Sequence, residues 1–248
     1  MRHFYSLLFM TEELGGNRDA EGMVERRIDT GIRTTFYELK RILGGMKGKT
    51  APGVDGVTME LIRSMGDEYI YFLVEKFNEI FAGVKIPADW RVGRIAVLPK
   101  EGVDNGKLEN RRPLTITSII YRLFMQIFKG RLQEMMENEN KIGPWQCGFR
   151  RGFRIEDNLF VLTQVKEMAG KLGKNLIGGF IDIKKAYDMV DREQLFDIMI
   201  SEGIQDAWVE LLKDVYTDNE IFIRIGKQES DKFRIDRGLR QRSPASPV

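Results

Sequence analysis

Apolar residues recur at helical spacing over the first two thirds of the chain and alternate near its end. In "TTFYELKRILGGM", Phe36, Leu39, Ile42, Leu43 and Met46 share one face, with Thr35 and Glu38 at capping-box spacing ahead of them. A longer stripe through Tyr69, Phe72, Leu73, Phe77, Ile80 and Phe81 stops at "GVKIPADW". "SIIYRLFMQIFKGRLQEMM" repeats the pattern through Ile120, Leu123, Phe124, Ile127 and Phe128, and "IEDNLFVLTQVKEMAG" does so again, ending at Gly170 as helices often do. "MRHFYSLLFM" reads as the start of a helix, residues 10–30 as a polar connection, and "GKTAPGVDGVT" as a loop punctuated by Pro52 and three glycines. "GRIAVLPK" and "NLIGGFIDI" read as strands, "DREQLFDIMISEG" (with Asp191 as N-cap) and "DAWVELLKDVY" as helices. "EIFIRI" alternates and "KFRI" follows a Gly-containing turn, which predicts a hairpin. The sum is a helix-rich α+β fold with an antiparallel component in its sheet.

Composition narrows the chemistry. The 248 residues are 42% hydrophobic, enough for a sizeable core, and 31% charged, but the net charge of +2 does not announce a nucleic-acid binder. One cysteine, Cys147, excludes an internal disulfide, and one histidine, His3, leaves no Cys/His zinc site within the chain. No apolar run approaches the roughly 18 residues of a membrane helix, and the N-terminal apolar run lacks a small-residue cleavage site. Carboxylates, lysines and a metal must carry any chemistry.

"GGFIDIKKAYDMV" offers the carboxylate. Asp182 ends an apolar run expected to be a buried strand, where a lone charge is costly without a cation. A carboxylate at a strand end suits Mg²⁺, which takes a few carboxylates together with substrate phosphates. The alternative is that Asp182 or Asp188 caps the next helix or pairs with Lys184 or Lys185.

Phe180, Asp182, Ala186, Tyr187 and Asp188 resemble the first palm motif of reverse transcriptases, F-x-D-x-x-x-A-[FY]-D. The resemblance continues in order along the chain. "APGVDGVTMELI" is similar to the opening block of LINE-type (non-LTR) retrotransposon polymerases, and "IPADWRVGRIAVLPK" and "NRRPLTITSIIYRLFMQIFKGRL" to their fingers blocks. "QCGFRRGFRIEDNLF" resembles their Q-x-G-F-R-x-G block, and "GLRQRSPASPV" their second palm motif, G-x-[RP]-Q-G-x-x-x-S-P. Six blocks over roughly residues 35–248 make coincidence an untenable explanation.

The resemblance implies a right-hand polymerase: an N-terminal connection over 1–34, fingers over 35–174 and a partial palm over 175–248, with a small, largely antiparallel sheet. It implies that Asp182 is catalytic and, with the Ile183 carbonyl, binds Mg²⁺ or Mn²⁺. Lys100 and Arg112 would reach the incoming triphosphate, with Ala186, Tyr187 (the sugar gate) and Gln241 beside the nucleotide. Gly148, Phe149, Arg150, Arg151 and Gly152 would contact template: glycines admit backbone to phosphate, arginines neutralise it, and aromatic faces support bases. Asp188 receives a structural role. The implied partners are an RNA template, a DNA primer and dNTPs, with no membrane, inside the cell in cytoplasm or nucleus.

The sequence departs from the pattern in places. Arg242 follows Gln241 where the family has Gly, and Arg154 and Ile155 stand where many relatives read Ser-Thr. No Asp-Asp pair occurs, and the family's next motif, Tyr-Ala-Asp-Asp, would follow Val248, as would the thumb. The expectation is therefore a fragment of an RNA-directed DNA polymerase, inactive as this isolated chain. The alternative is a non-catalytic retrotransposon relic that at most binds RNA or DNA. An unrelated metal-dependent phosphotransferase built on Asp182 would need a second acidic cluster, and the sequence shows no convincing one.

Overall fold

A computed structural model describes residues 29–99, 102, 107, 110–226 and 228–247. The helix expected at residues 1–10, the connection up to residue 28 and Lys100 lie outside the described residues. Among those described, the elements run α1 (Phe36–Gly45), α2 (Met59–Ser64), α3 (Asp67–Phe81), a 3₁₀ turn (Ala88–Arg91), β1 (Val92–Pro99), β2 (Arg111–Ile116), α4 (Ile119–Asn138), α5 (Ile155–Lys171), α6 (Arg192–Ser201), α7 (Asp206–Tyr216), β3 (Glu220–Ile225), β4 (Gln228–Glu229) and β5 (Phe233–Arg234). This is the expected α+β fold. No described helix is long and apolar enough to cross a membrane.

The core is built around α4. Ser118 caps it by accepting from the Ile120 N–H, and Ile119, Tyr121, Leu123, Phe124, Met125, Ile127 and Phe128 are all buried. A helix apolar on nearly every side at one end must be wrapped by others. The Phe124 ring stacks on Phe81 at 4.5 Å and meets Phe77 edge-on at 5.5 Å, while Phe128 packs edge-on against Trp208 at 5.9 Å. One apolar cluster thus joins α1, α2, α3, α4, α6 and α7, from Ile32 to Tyr216. Thr30 ties its edges: its N–H and hydroxyl both donate to the Phe81 carbonyl at 2.9 Å, and its own carbonyl accepts from Trp208 Nε1 at 2.8 Å.

The sheet runs β2-β1-β3-β4, with β5 also on β3. β1 and β3 are parallel, with Val92 opposite Glu220, and the other pairs are antiparallel. β2 was not legible as a strand, because Pro113 lies within it; its edge position tolerates a residue that cannot donate to a ladder. β3 with β4 and β5 realises the expected hairpin. Thr35 caps α1 as expected, accepting from the Glu38 N–H, but the Glu38 carboxylate turns to Arg131 and Thr34 and does not close the reciprocal bond.

One expected strand is absent. Residues 174–183 form no ladder, and Ile177, Phe180 and Ile181 are 94%, 95% and 96% exposed. An apolar, β-prone run becomes a strand only when a neighbouring edge accepts its N–H and C=O groups. No described strand pairs with it. The preceding helix, α5, also has no buried residue, although Ile155, Leu159, Leu162, Val165, Met168 and Leu172 share one of its faces.

These packing differences set opposite stability expectations. Phe124→Ala, at the ring cluster, is expected to cost about 3–5 kcal/mol, whereas Ile177→Ser should stay within about 0.5 kcal/mol of the parent. Urea melts of the three chains check both values.

Candidate nucleotide and template site

Asp182 sits within the exposed 174–183 stretch and is itself exposed, so the expected buried strand-end carboxylate is not what the structure contains. Among the described residues its carboxylate has neither a hydrogen-bond nor an ion-pair partner. Ile183 is exposed beside it. No group of three or more His, Cys, Asp or Glu side chains able to hold a metal occurs among the described residues.

Directly after Ile183 the chain turns back into the body. Residues 184–189 form a tight turn in which the Lys185 carbonyl accepts from the N–H groups of Asp188 at 2.9 Å and Met189 at 3.1 Å, with Lys185 itself at φ +55°. The end of this turn is clasped by the loop after β5. Gly238 N–H donates to the Val190 carbonyl at 2.8 Å, and Leu239 N–H to the Tyr187 carbonyl at 2.7 Å. Gly238 has φ +79°, and a Cβ there would stand 2.8 Å from the Asp188 carbonyl oxygen, so only glycine fits. Asp188 is 3% exposed, and its Oδ1 accepts from Gln241 Nε2 at 2.6 Å.

Tyr187, Asp188 and Gln241, distant in sequence, therefore form one unit. Ala186 is exposed at its edge and Tyr187 is half-buried. Burial pushes the Asp188 carboxyl above the usual carboxylate range, against a smaller opposing pull from the Gln241 hydrogen bond and the Lys185 charge. Asp188 is a buried hydrogen-bond acceptor that positions Gln241, and it caps no helix; Asp191 is the N-cap of α6, accepting from Gln194 N–H.

Two residues that sequence reasoning missed hold this loop in place. Arg192, the first residue of α6, is buried and donates to the carbonyls of Gly238, Tyr216, Ile235 and Arg237 at 2.9–3.3 Å, with its guanidinium over the Tyr216 ring. Desolvation lowers its pKa to about 10, so it stays charged at neutral pH. Arg240, also buried, donates to the Trp90 carbonyl at 2.6 Å and to Asn219 Oδ1, and lies over the Tyr121 ring. Neither pairs with a carboxylate among the described residues. No spacing rule flags an arginine whose partners are carbonyls from other segments; only Arg240's place in the "GLRQ" block was a cue.

The remaining candidates stand apart from the clasp. Arg112 is exposed on β2, opposite Leu98 of β1. Lys100, its expected companion, lies outside the described residues. The Gly148–Gly152 loop joins α4 to α5, with Phe149 at φ +61° and Gly152 at φ +84°. Arg150 braces that loop: Nη1 donates to the carbonyls of Gly143 at 3.3 Å and Gln146 at 3.4 Å, and the guanidinium stacks 4.5 Å from the Phe153 ring centre. Arg151 is exposed, as are the faces of Trp145 and Phe149. A cavity of about 280 Å³ opens beside the loop, lined by Gln133, Met136, Lys141 and Arg150 among others.

Because the folded chain keeps the Asp188 proton to higher pH than the unfolded chain does, stability should fall as pH rises from the ordinary carboxylate range through the raised one. Asp188→Asn keeps an acceptor for Gln241 and should flatten that slope; urea melts between about pH 4 and pH 7 check it. Asp182→Asn, at an exposed site, should leave stability within about 0.5 kcal/mol of the parent.

The reverse transcriptase (RNA-dependent DNA polymerase) family model matches residues 98–248. A transposon TX1 uncharacterized 149 kDa protein of Xenopus laevis is 27% identical, over 99% of this chain and 19% of its own length. The Pol polyprotein of the type-1 retrotransposable element R2 of Popillia japonica is 27% identical, over 85% of this chain and 28% of its own length. The RNA-directed DNA polymerase from mobile element jockey of Drosophila melanogaster is 24% identical, over 63% of this chain and 17% of its own length. The chain thus spans between 17% and 28% of the length of these curated relatives. It belongs to the reverse transcriptase (RNA-dependent DNA polymerase) family.

Proposed function

We propose that this chain forms the fingers and part of the palm of an RNA-directed DNA polymerase that adds dNTPs to a primer 3′-end on an RNA template. The observation that carries the reading is the clasp that joins Tyr187 to Gln241, the two nucleotide-side residues, through backbone hydrogen bonds and the buried Asp188 carboxylate. A flat, half-buried ring and an amide held by a rigid loop are suited to shape a nucleotide's sugar and base. The exposed Arg112, Arg151, Phe149 and Trp145 supply charge and ring faces for phosphate and unpaired bases.

The family generally uses divalent metal ions. Asp182, exposed and unpartnered among the described residues, suits one Mg²⁺ or Mn²⁺ ligand, with the Ile183 carbonyl beside it. A two-cation site needs further acidic ligands, and the described residues do not furnish them. The donor set among the described residues therefore does not fit a complete metal centre, and those residues are assigned to binding and orientation alone.

Two measurements test the reading. Primer extension by this chain on poly(rA)–oligo(dT) with dTTP and Mg²⁺ or Mn²⁺ should not exceed that of Asp182→Ala; clear incorporation above it would overturn the assignment to binding. An RNA–DNA hybrid should bind in a salt-sensitive, sequence-tolerant way, and Arg151→Ala should lower the slope of log affinity against log salt by about 1. Absence of hybrid binding at low salt would sink the polymerase reading for this chain.

A further inference from the structure

The loop at Ala51–Gly56 lies against the start of α4 so closely that a Cβ on Gly53 would stand 2.6 Å from the Ser118 nitrogen. Two arginines reach over this loop from different elements. Arg94 of β1 donates to the Pro52 carbonyl at 3.2 Å, a sound bond. Arg122 of α4 reaches only the Ala51 carbonyl, at 3.5 Å, and its Nε is shielded from solvent with no hydrogen-bond partner. A shielded guanidinium donor without an acceptor is costly to maintain.

A third arginine aggravates the imbalance. Arg242, next to the clasped Gln241, lies near enough to Arg122 to repel its charge. It is exposed, has no ion-pair partner among the described residues, and sits at φ +74°, a backbone region that side-chain-bearing residues rarely adopt. Asp55 is the acidic group whose charge acts on Arg122, and no ion pair joins them among the described residues. Burial lowers the Arg122 pKa, and Arg242 lowers it further. Two like charges, one with a donor unmet beside a loop packed too closely at Gly53 for a Cβ and the other on a backbone of positive φ, leave a gap in charge and hydrogen bonding that an anion would fill.

We propose that Arg122 and Arg242 form a phosphate-binding site, roofed by the Ala51–Gly56 loop and adjoining the Asp188–Gln241 pair. The planar guanidinium of Arg122 offers a donor geometry matched to phosphate oxygens. Arg242 supplies the second charge from the solvent side. The ligand is a phosphate group of a nucleotide or of a nucleic-acid backbone, and in that respect the inference rests on the polymerase reading.

The test uses thermal melts with inorganic tripolyphosphate, without metal or nucleic acid, at constant ionic strength set with chloride. Tripolyphosphate in large excess should raise the parent midpoint by at least about 3 °C through binding to the folded state. Arg122→Gln and Arg242→Asn, the latter neutral and tolerant of a positive φ, should abolish the shift. Arg242→Asp should abolish it too and raise the midpoint without ligand, because it places a counter-charge beside Arg122. No shift in the parent, or an equal shift in the variants, overturns the site. In the parent, a larger shift with dTTP than with a single-stranded RNA oligonucleotide of equal phosphate content assigns it to the nucleotide; the reverse assigns it to the backbone. Hybrid binding through the Gly148–Gly152 loop is measured separately, so failure here and failure of the polymerase reading are told apart.

Discussion

Two guanidinium groups held by carbonyls and aromatic faces fix the part of this chain on which its site depends. Removing an arginine from water is expensive, and the usual remedy is a carboxylate. Arg192 instead gathers four backbone carbonyls, and Arg240 gathers one carbonyl and the Asn219 amide oxygen. Those acceptors come from α7, from the segment after β5, from the turn before β1 and from the turn before β3. Each guanidinium therefore joins two other segments to its own, and its loss would orphan acceptors in both. Held between them, Gly238 and Leu239 can close on the 187–190 turn with bonds of 2.8 and 2.7 Å.

The consequence is an uneven molecule. The ring cluster on α4, the sheet and the clasp are tightly specified, while α5 and residues 174–183 hold their apolar side chains outside any core. Asp182 lies on the unpacked side of that boundary and Asp188, six residues later, on the packed side. Their environments make them different chemical objects: one an exposed carboxylate without a described partner, the other a shielded acceptor whose charge is disfavoured. Tyr187 and Gln241 are thus positioned independently of Asp182.

Much of the architecture could be read in advance where periodicity was strong and local. The stripes of α1, α3 and α4, the N-caps at Thr35 and Asp191, and the alternation of β3 are set by interactions within a few residues, so the sequence carries them openly. The reading failed where the outcome depended on a partner. "NLIGGFIDI" has the composition of a buried strand, yet no neighbouring edge accepts its backbone groups. β2 hid behind Pro113, which an edge strand accommodates. Arg150, expected to contact template, also donates two hydrogen bonds to its own loop, which no pattern in the sequence announces.

By itself the sequence determined the helical register, the caps, the hairpin and, through six ordered blocks, the polymerase family. Each of these is a matter of which residues stand near one another along the chain. The tertiary structure alone decided that Asp182 is solvated and Asp188 buried, that Gln241 meets Asp188, that Arg192 and Arg240 are the pins of the clasp, and that Arg122 is left beside Arg242 with a donor unmet. Desolvation and long-range hydrogen bonding are properties of what surrounds a group, and segments far along the chain supply those surroundings here, from 21 residues away for Asn219 and Arg240 to 150 for Trp90 and Arg240.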